Sequence, residues 1–138
     1  MKKRYSQFEH TADVGIRASG SDLKELFTNF ALGLFDVICD VDKVVPREGI
    51  EVSIHSFDTE SLLVKWLNEL IYIFDSKKML LSNFNINEIS HNRMTALVKG
   101  EKIDPKVHKL RHLVKAATFH QLSIKKNKEY EGKIIIDV

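Results

Sequence analysis

The stretch DLKELFTNFALGLFDVICD, residues 22–40, gives the clearest indication of the fold. Its large apolar side chains recur every three or four residues, which is the period of an amphipathic helix. Asp22 is a suitable N-cap, and Glu25 stands three residues later, in the position of a capping box. We therefore predict a helix over residues 22–40 whose apolar face is formed by Leu23, Leu26, Phe27, Phe30, Leu34, Phe35 and Ile38.

A second helix is predicted from Thr59 to Asp75, with Leu63, Trp66, Leu67, Leu70, Ile71 and Phe74 on its apolar face and Lys65, Asn68, Glu69 and Tyr72 nearer to water. The remaining chain predicts strands at 14–18, 50–54, 84–89, 94–98, 114–125 and 133–138, with a turn at 90–93. This order predicts an α+β fold, a two-layer sandwich with two helices packed on one face of a mostly antiparallel (mixed) sheet.

Length and composition limit the classes of protein to consider. A chain of 138 residues predicts a single domain over 1–138 that needs no disulfide or structural zinc. The single cysteine, Cys39, is expected to be a small buried hydrophobe rather than a nucleophile. With no signal peptide or membrane-spanning segment in the sequence, we expect a cytoplasmic protein with no membrane partner.

The net charge of +2 argues against a strongly basic nucleic-acid-binding protein, but the charges are unevenly distributed. Residues 1–60 hold 7 basic and 11 acidic side chains, whereas residues 61–138 hold 14 basic and 8 acidic ones. Most of these charges are expected to be a solvated surface.

Two polar segments are candidates for chemistry. Glu9-His10-Thr11-Ala12-Asp13 precedes an apolar strand, where its side chains would either cap a turn or hold a divalent ion. The apolar run 134–136 is followed by Asp137 and Val138, which would place a carboxylate and the terminal α-carboxylate, both hard oxygen donors, side by side.

These two segments would meet if the last strand pairs beside the first one. Asp13, Asp137 and the main-chain carbonyl or carboxylate of Val138 would then lie together. Two uncompensated carboxylates so placed repel each other, and a cation would relieve that repulsion. Oxygen ligands suit Ca²⁺, Mg²⁺ and Mn²⁺ alike, so the sequence predicts a divalent ion without selecting the metal.

The connection between the fourth and fifth of these strands is long and basic, with Lys99, Lys102, Lys106, Lys109, Arg111 and Lys115 among Glu101, Asp104, His108 and His112. It is either a solvated excursion or a surface that docks an acidic protein, a phosphate or RNA. His120 follows it. In a regular strand His120 shares a face with Ala116 and Leu122, which favours a core histidine over a general base.

Four segments together resemble the archease family: HTADVGI at 10–16, Gly100-Glu101 with Asp104 and His108, VKAATFH at 114–120, and IIDV at 135–138. The resemblance runs from about Phe8 to Val138, with Phe119 where the family is expected to have tyrosine. It implies a non-catalytic protein cofactor of an RtcB-type tRNA-splicing RNA ligase, which promotes guanylylation and turnover of the ligase and meets tRNA only through it.

The same resemblance implies a divalent metal ion at Asp13, Asp137 and Val138. It also singles out a set of candidate partner or activation residues, namely His10, Glu101, Asp104, His108, Lys115 and His120.

Two other functions remain open from the sequence. A small metal-dependent phosphoesterase would use Asp13 and Asp137 with His10 as base, although no obvious nucleophile accompanies them. An RNA-binding or chaperone-like module would use the basic residues of 99–115, although the near-neutral chain and the lack of an aromatic-basic stacking motif argue against strong RNA affinity.

Overall fold

The structure, a computed structural model, describes residues 3–10 and 13–138 and the side chains of these residues other than Glu9 and His10. Its elements are β1 (Tyr5–His10), β2 (Asp13–Gly20), α1 (Leu23–Ile38), β3 (Glu48–His55), α2 (Thr59–Lys77), β4 (Met79–Ile89), β5 (Arg93–Lys102), β6 (Ala116–Lys126) and β7 (Tyr130–Asp137), with a short 3-10 turn at Val41–Lys43. The predicted α+β class and both predicted helices are confirmed.

Both helices begin where their caps predict. The Asp22 carboxylate accepts a hydrogen bond of 2.8 Å from the Glu25 N–H at the start of α1. Asp58 and Ser61 form a capping box at the start of α2. α2 continues to Lys77, two residues beyond the prediction, because it stops only where Lys78 takes a left-handed backbone conformation (φ 53°).

The seven strands form two antiparallel sheets instead of the single, partly mixed sheet expected. The four-stranded sheet has the order β1-β2-β7-β6, and the three-stranded sheet has the order β3-β5-β4. Residues 21–47, which include α1, carry the chain from the first sheet to the second, and residues 103–115 carry it back from β5 to β6. β1 was not predicted, since its sequence YSQFEH has no clear apolar face.

The core lies where both helices meet both sheets. α1 packs on β2 and β4, and α2 packs on β6 and β3. The helices are joined by the buried Trp66 indole, whose N–H donates to the Phe27 carbonyl at 3.0 Å. The rings of Phe35 and Phe84 join α1 to β4 at 5.8 Å. The other face of the four-stranded sheet is turned away from the helices.

Cys39 lies in this core, as predicted. Burial raises the pKa of its thiol to about 11, so it is a poor nucleophile at neutral pH. Within the described residues, neither helix has the length and apolar composition needed to cross a membrane.

Candidate metal centre and the residues around it

Asp13 and Asp137 face each other across two neighbouring strands. Asp13 is the first residue of β2 and Asp137 is the last of β7, and the antiparallel register pairs them directly. Directly paired residues have side chains on the same face of the sheet, with Cβ atoms about 5 Å apart. Both residues are half-buried. The strand pairing on which the predicted meeting of these two residues depends is therefore confirmed.

The alternation of side chains along β2 and β7 places this pair on the outer face. Val14 pairs with Ile136 and Ile16 with Ile134, and these residues pack in the core below the helices. Residues one position away point to the opposite face. The apolar residues that anchor the strands therefore also fix both carboxylates on the face turned away from the helices.

Asp137 is held between two strands. β7 pairs with β2 on one side and with β6 on the other, and Ala116 is the partner of Asp137 on β6. The Lys115 N–H also donates to the Asp137 carbonyl at 2.8 Å. Val138 follows directly, is half-buried, and packs against the core. Its main-chain oxygens therefore lie one residue from the carboxylate pair.

This donor set suits a hard divalent cation. Two carboxylates and the main-chain oxygens of Val138 are oxygen ligands of the kind that Ca²⁺, Mg²⁺ and Mn²⁺ bind. No group of three or more His, Cys, Asp or Glu side chains within residues 3–8 and 13–138 is arranged to hold a metal. The residues present therefore fit an ion that takes two side-chain ligands here and completes its shell with main-chain, water or partner oxygens. The side chain of His10 lies outside the described residues, although its backbone pairs with Asp13.

The outer edge of β6 is closed by a side chain from α2. The Asn68 amide donates to the Ala117 carbonyl at 3.2 Å and its oxygen accepts from the Ala117 N–H at 2.7 Å. These two hydrogen bonds take the place of those that a neighbouring strand would make to Ala117, the residue after Ala116. The sequence pattern predicts Asn68 nearer to water. Its position within the apolar stripe of α2, between Leu67 and Leu70, was the available signal.

β6 then bulges away from β7. The register passes from Thr118 paired with Ile135 to Ser123 paired with Lys133, so extra residues loop out of β6. Gln121 within the bulge has φ 55°. The bulge breaks the alternation on which the core interpretation of His120 depended. His120 is exposed, and that interpretation is wrong.

Glu101, Asp104 and His108 form a second group, at the start of the basic segment 103–115. The buried His108 ring accepts a 2.9 Å hydrogen bond at Nδ1 from the Asp104 N–H, and its Nε2 lies 2.9 Å from Glu101 Oε2. Because Nδ1 accepts, the ring proton is on Nε2 and is donated to the carboxylate. The same carboxylate accepts from the Val45 N–H at 2.7 Å and the Arg47 guanidinium at 3.1 Å.

This second group fastens the segment to the body of the protein. The hydrogen bond from Val45, then those from His108 and Arg47, hold the pKa of Glu101 below its ordinary value of 4.5. Further along, Arg111 donates from its N–H to the Ile38 carbonyl at 2.7 Å and from its side chain to the Asp36 carbonyl at 3.0 Å. The segment is therefore not a loose excursion, although Lys106, Lys109 and Lys115 on it remain exposed.

Comparison with known proteins identifies the family. Residues 5–138 match the model of the Archease protein family. The chain is 43% identical over 99% of both sequences to Protein archease of Sulfurisphaera tokodaii, and 46% identical, with the same coverage, to Protein archease of Saccharolobus islandicus. The chain belongs to the archease family.

Solved structures agree with this assignment. The solution structure of Methanobacterium thermoautotrophicum protein 1598 superposes with a TM-score of 0.81 at 35% identity, and covers 99% of this chain and 100% of that one. A crystal structure from Thermotoga maritima, described as an archease and possible chaperone, matches with a TM-score of 0.62, covering 95% of this chain and 94% of that one. At 21% identity the latter supports the archease fold alone.

The archease residues singled out by sequence thus fall into two groups. The first group lies where β2 begins and β7 ends, and it consists of Asp13, Asp137, Val138 and the backbone of Lys115. Glu101, Asp104 and His108 come together at the end of β5, where their contacts support the chain. Sequence reasoning missed Asn68, and it missed Arg47 and Val45, which join Glu101 over more than 50 residues of sequence.

Proposed function

We propose that this archease-family protein is a non-catalytic cofactor of an RtcB-type tRNA-splicing RNA ligase. In this role it promotes guanylylation and repeated turnover of the ligase. It holds a divalent ion through Asp13, Asp137 and the main-chain oxygens of Val138. Family membership and the facing pair of carboxylates support the proposal.

The register of Asp13 with Asp137 is the observation that carries it. Two carboxylates on one face of a sheet raise each other's free energy, and a cation between them lowers it. Both residues are only half-buried, so a bound ion would keep positions open toward solvent. An ion with open positions can take an oxygen of a partner's phosphate and act as a Lewis acid there.

The chain's own residues would orient this ion. Pairing of β7 with β2 and β6 fixes the backbone of Asp137 on both sides, and the hydrogen bond from Lys115 fixes its carbonyl. Asn68 fixes β6 in turn. Ligands held by a supported backbone keep their geometry when a partner docks, which a metal site needs in order to work on a second protein.

The basic segment 103–115 would dock the ligase. Its exposed lysines are long and flexible, but the backbone beneath them is held by His108 and Arg111. A rigid backbone reduces the entropy lost on association. Lys115 is the exposed lysine of this segment nearest to the two carboxylates, because its backbone N–H donates to the Asp137 carbonyl.

The protein would not be an enzyme by itself. Cys39 is buried with a raised pKa, and the two carboxylates supply metal ligands and no nucleophile. A lone reduced cysteine suits the cytoplasm, where an RNA ligase also works.

The test is a multiple-turnover ligation assay with the cognate ligase. Asp137→Ala should remove stimulation by the protein, while its circular dichroism and unfolding midpoint stay near those of the natural chain. Asp75→Ala, an exposed position at the end of α2, is the matched control and should stimulate fully. Normal turnover with Asp137→Ala would contradict the proposal. Phosphoesterase turnover with Mn²⁺ by the isolated protein would contradict the non-catalytic assignment.

A further inference from the structure

The outer face of the four-stranded sheet carries an open groove of about 830 Å³ that is lined mainly by charged and hydroxyl side chains. Its cationic residues come from three of the four strands and the chain before β1, and they are Lys3, Arg4, Arg17, Lys125 and Lys133. Only two carboxylates, Glu129 and Glu131, join them. The cations outnumber the anions although the chain as a whole is almost neutral.

The cations form rows across the sheet. Arg17 pairs with Ser6 on one side and with Lys133 on the other, and Lys133 pairs with Ser123, so these side chains share the outer face. The next outward position on β6 is Lys125. Successive outward positions on a strand are about 7 Å apart. The row of Arg17 and Lys133 contains no carboxylate, whereas Lys125 stands opposite Glu131 in the next row.

Several of these charges are not neutralised within the protein. Arg4 is bound to Glu129 at 2.7 Å, and Lys3 lies 3.7 Å from Asp36. In the part of the chain that the structure describes, no carboxylate lies within ion-pair distance of Arg17, Lys125 or Lys133. These three side chains are therefore open to an anionic ligand, although Glu131, opposite Lys125 in the register, partly offsets the charge of that lysine.

Arg17 is held in position by an aromatic ring. Its guanidinium carbon lies 4.4 Å from the centre of the Phe8 ring. The ring in turn lies flat on Gly15, where a Cβ atom would overlap it. A planar guanidinium supported on one side presents its other side to solvent, and unpaired bases stack on such planes.

The composition of the groove distinguishes between two kinds of anionic partner. The centre of a protein–protein interface is apolar and aromatic, whereas interfaces with nucleic acids are polar and positively charged. None of the exposed large hydrophobic residues of the described chain, such as Phe57, Leu113 and Phe119, lines this groove. Serine hydroxyls accompany arginine and lysine in it, and all three residue types contact phosphates.

We propose that this groove binds the sugar-phosphate backbone of single-stranded nucleic acid, with Arg17, Lys125 and Lys133 as its phosphate contacts and Arg17 as a stacking platform for a base. The groove lies on the same face as Asp13 and Asp137, two rows further along β2 and β7. It is distinct from the basic segment 103–115. The proposal requires neither the ligase nor the metal.

The test measures fluorescence anisotropy of a labelled oligouridylate of about 12 nucleotides, with EDTA present and no ligase. Three phosphate contacts predict a slope of about −2 for the logarithm of affinity against the logarithm of salt concentration. The double variant Lys125→Gln/Lys133→Gln should lose at least about tenfold in affinity at low salt, and its slope should fall toward about −0.7. Lys106→Gln/Lys109→Gln removes the same charge from the basic segment and should bind like the natural chain.

A further variant separates stacking from charge. Arg17→Lys keeps the positive charge and loses the plane, so it should weaken binding while leaving the salt slope unchanged. Four results would overturn the proposal: no binding at low salt, equal loss in the basic-segment variant, tighter binding of duplex than of single strand, or tighter binding of polyglutamate than of the oligonucleotide. The last result would indicate an acidic protein as the partner of this groove.

Discussion

Asp13 and Asp137 are direct partners in the register of β2 and β7, although they lie 124 positions apart in sequence. The apolar residues beside them, Val14 and Ile136, are paired in the same ladder and packed toward the helices. Burial of Val14 and Ile136 therefore holds Asp13 and Asp137 opposite each other. In the proposed metal site, a cation between the two residues would offset the repulsion expected of two carboxylates held on one face.

The first prediction concerns the free energy of unfolding in the presence of metal. An ion that binds only the folded protein stabilises it by about 2.7 kcal/mol at a hundred times its dissociation constant, which corresponds to roughly 8 °C for a domain of this size. Mn²⁺ or Ca²⁺ should raise the melting temperature of the natural chain by this order. Asp137→Asn should abolish the rise, and Asp75→Asn should keep it. A rise that persists in Asp137→Asn would place the ion elsewhere.

The second prediction concerns the edge of β6. Asn68→Leu removes both hydrogen bonds to Ala117 and leaves its N–H and carbonyl part-buried without these partners. The loss should be about 1–3 kcal/mol in the free energy of unfolding, measured by urea denaturation. Asn85→Leu, at an exposed position on β4, is the control and should change stability little. Equal stability of the two variants would show that Asn68 does not support the strand.

The third prediction concerns acid. Hydrogen bonds from Val45, His108 and Arg47 lower the pKa of Glu101 in the folded protein, so it contributes stability above its unfolded pKa of about 4.5. That contribution is lost as the pH falls through the lower, folded value. The stability difference between the natural chain and Glu101→Gln should therefore be largest near pH 7 and shrink below about pH 4.5. Urea denaturation from pH 7 to pH 3 measures it, and a difference independent of pH would contradict the assignment.

The fourth prediction concerns the close approach of Phe8 to Gly15. A Cβ atom at position 15 would overlap the Phe8 ring, so Gly15→Ala should cost about 1–3 kcal/mol. The cost should be much smaller in a Phe8→Ala background, because the obstructing ring is gone. A double-mutant cycle of unfolding free energies measures the coupling, and additive costs would rule out this contact.

How much of the molecule the sequence predicts depends on the range of the interactions involved. The predicted helix 22–40 lies within two residues of Leu23–Ile38, because spacing and caps are local features. The meeting of Asp13 and Asp137 was predicted only on the condition that the last strand pairs beside the first one. The sequence does not fix that pairing, since the two strands come from opposite ends of the chain. The oxygen donors themselves were visible in the residue types.

The features that the sequence did not predict depend on contacts between distant parts of the chain. β1 has a weak alternation of its own and is held by its pairing with β2. His120 is exposed because three extra residues bulge from β6, and a bulge leaves no periodic signal. Glu101 and His108 resemble site residues by type, yet Glu101 is also bound by Val45 and Arg47, which come from the loop before β3. Only the folded structure shows that this group supports the basic segment.

Transfer of labelled GMP onto the cognate ligase tests the central claim most directly, because it isolates the guanylylation step. With Mn²⁺ and GTP, the natural chain should accelerate formation of the ligase–GMP adduct. Asp13→Asn and Asp137→Asn should each reduce the rate toward that of the ligase alone, and Asp75→Asn should not. Full acceleration by Asp137→Asn, in a variant shown to be folded, would contradict the role assigned to the carboxylate pair.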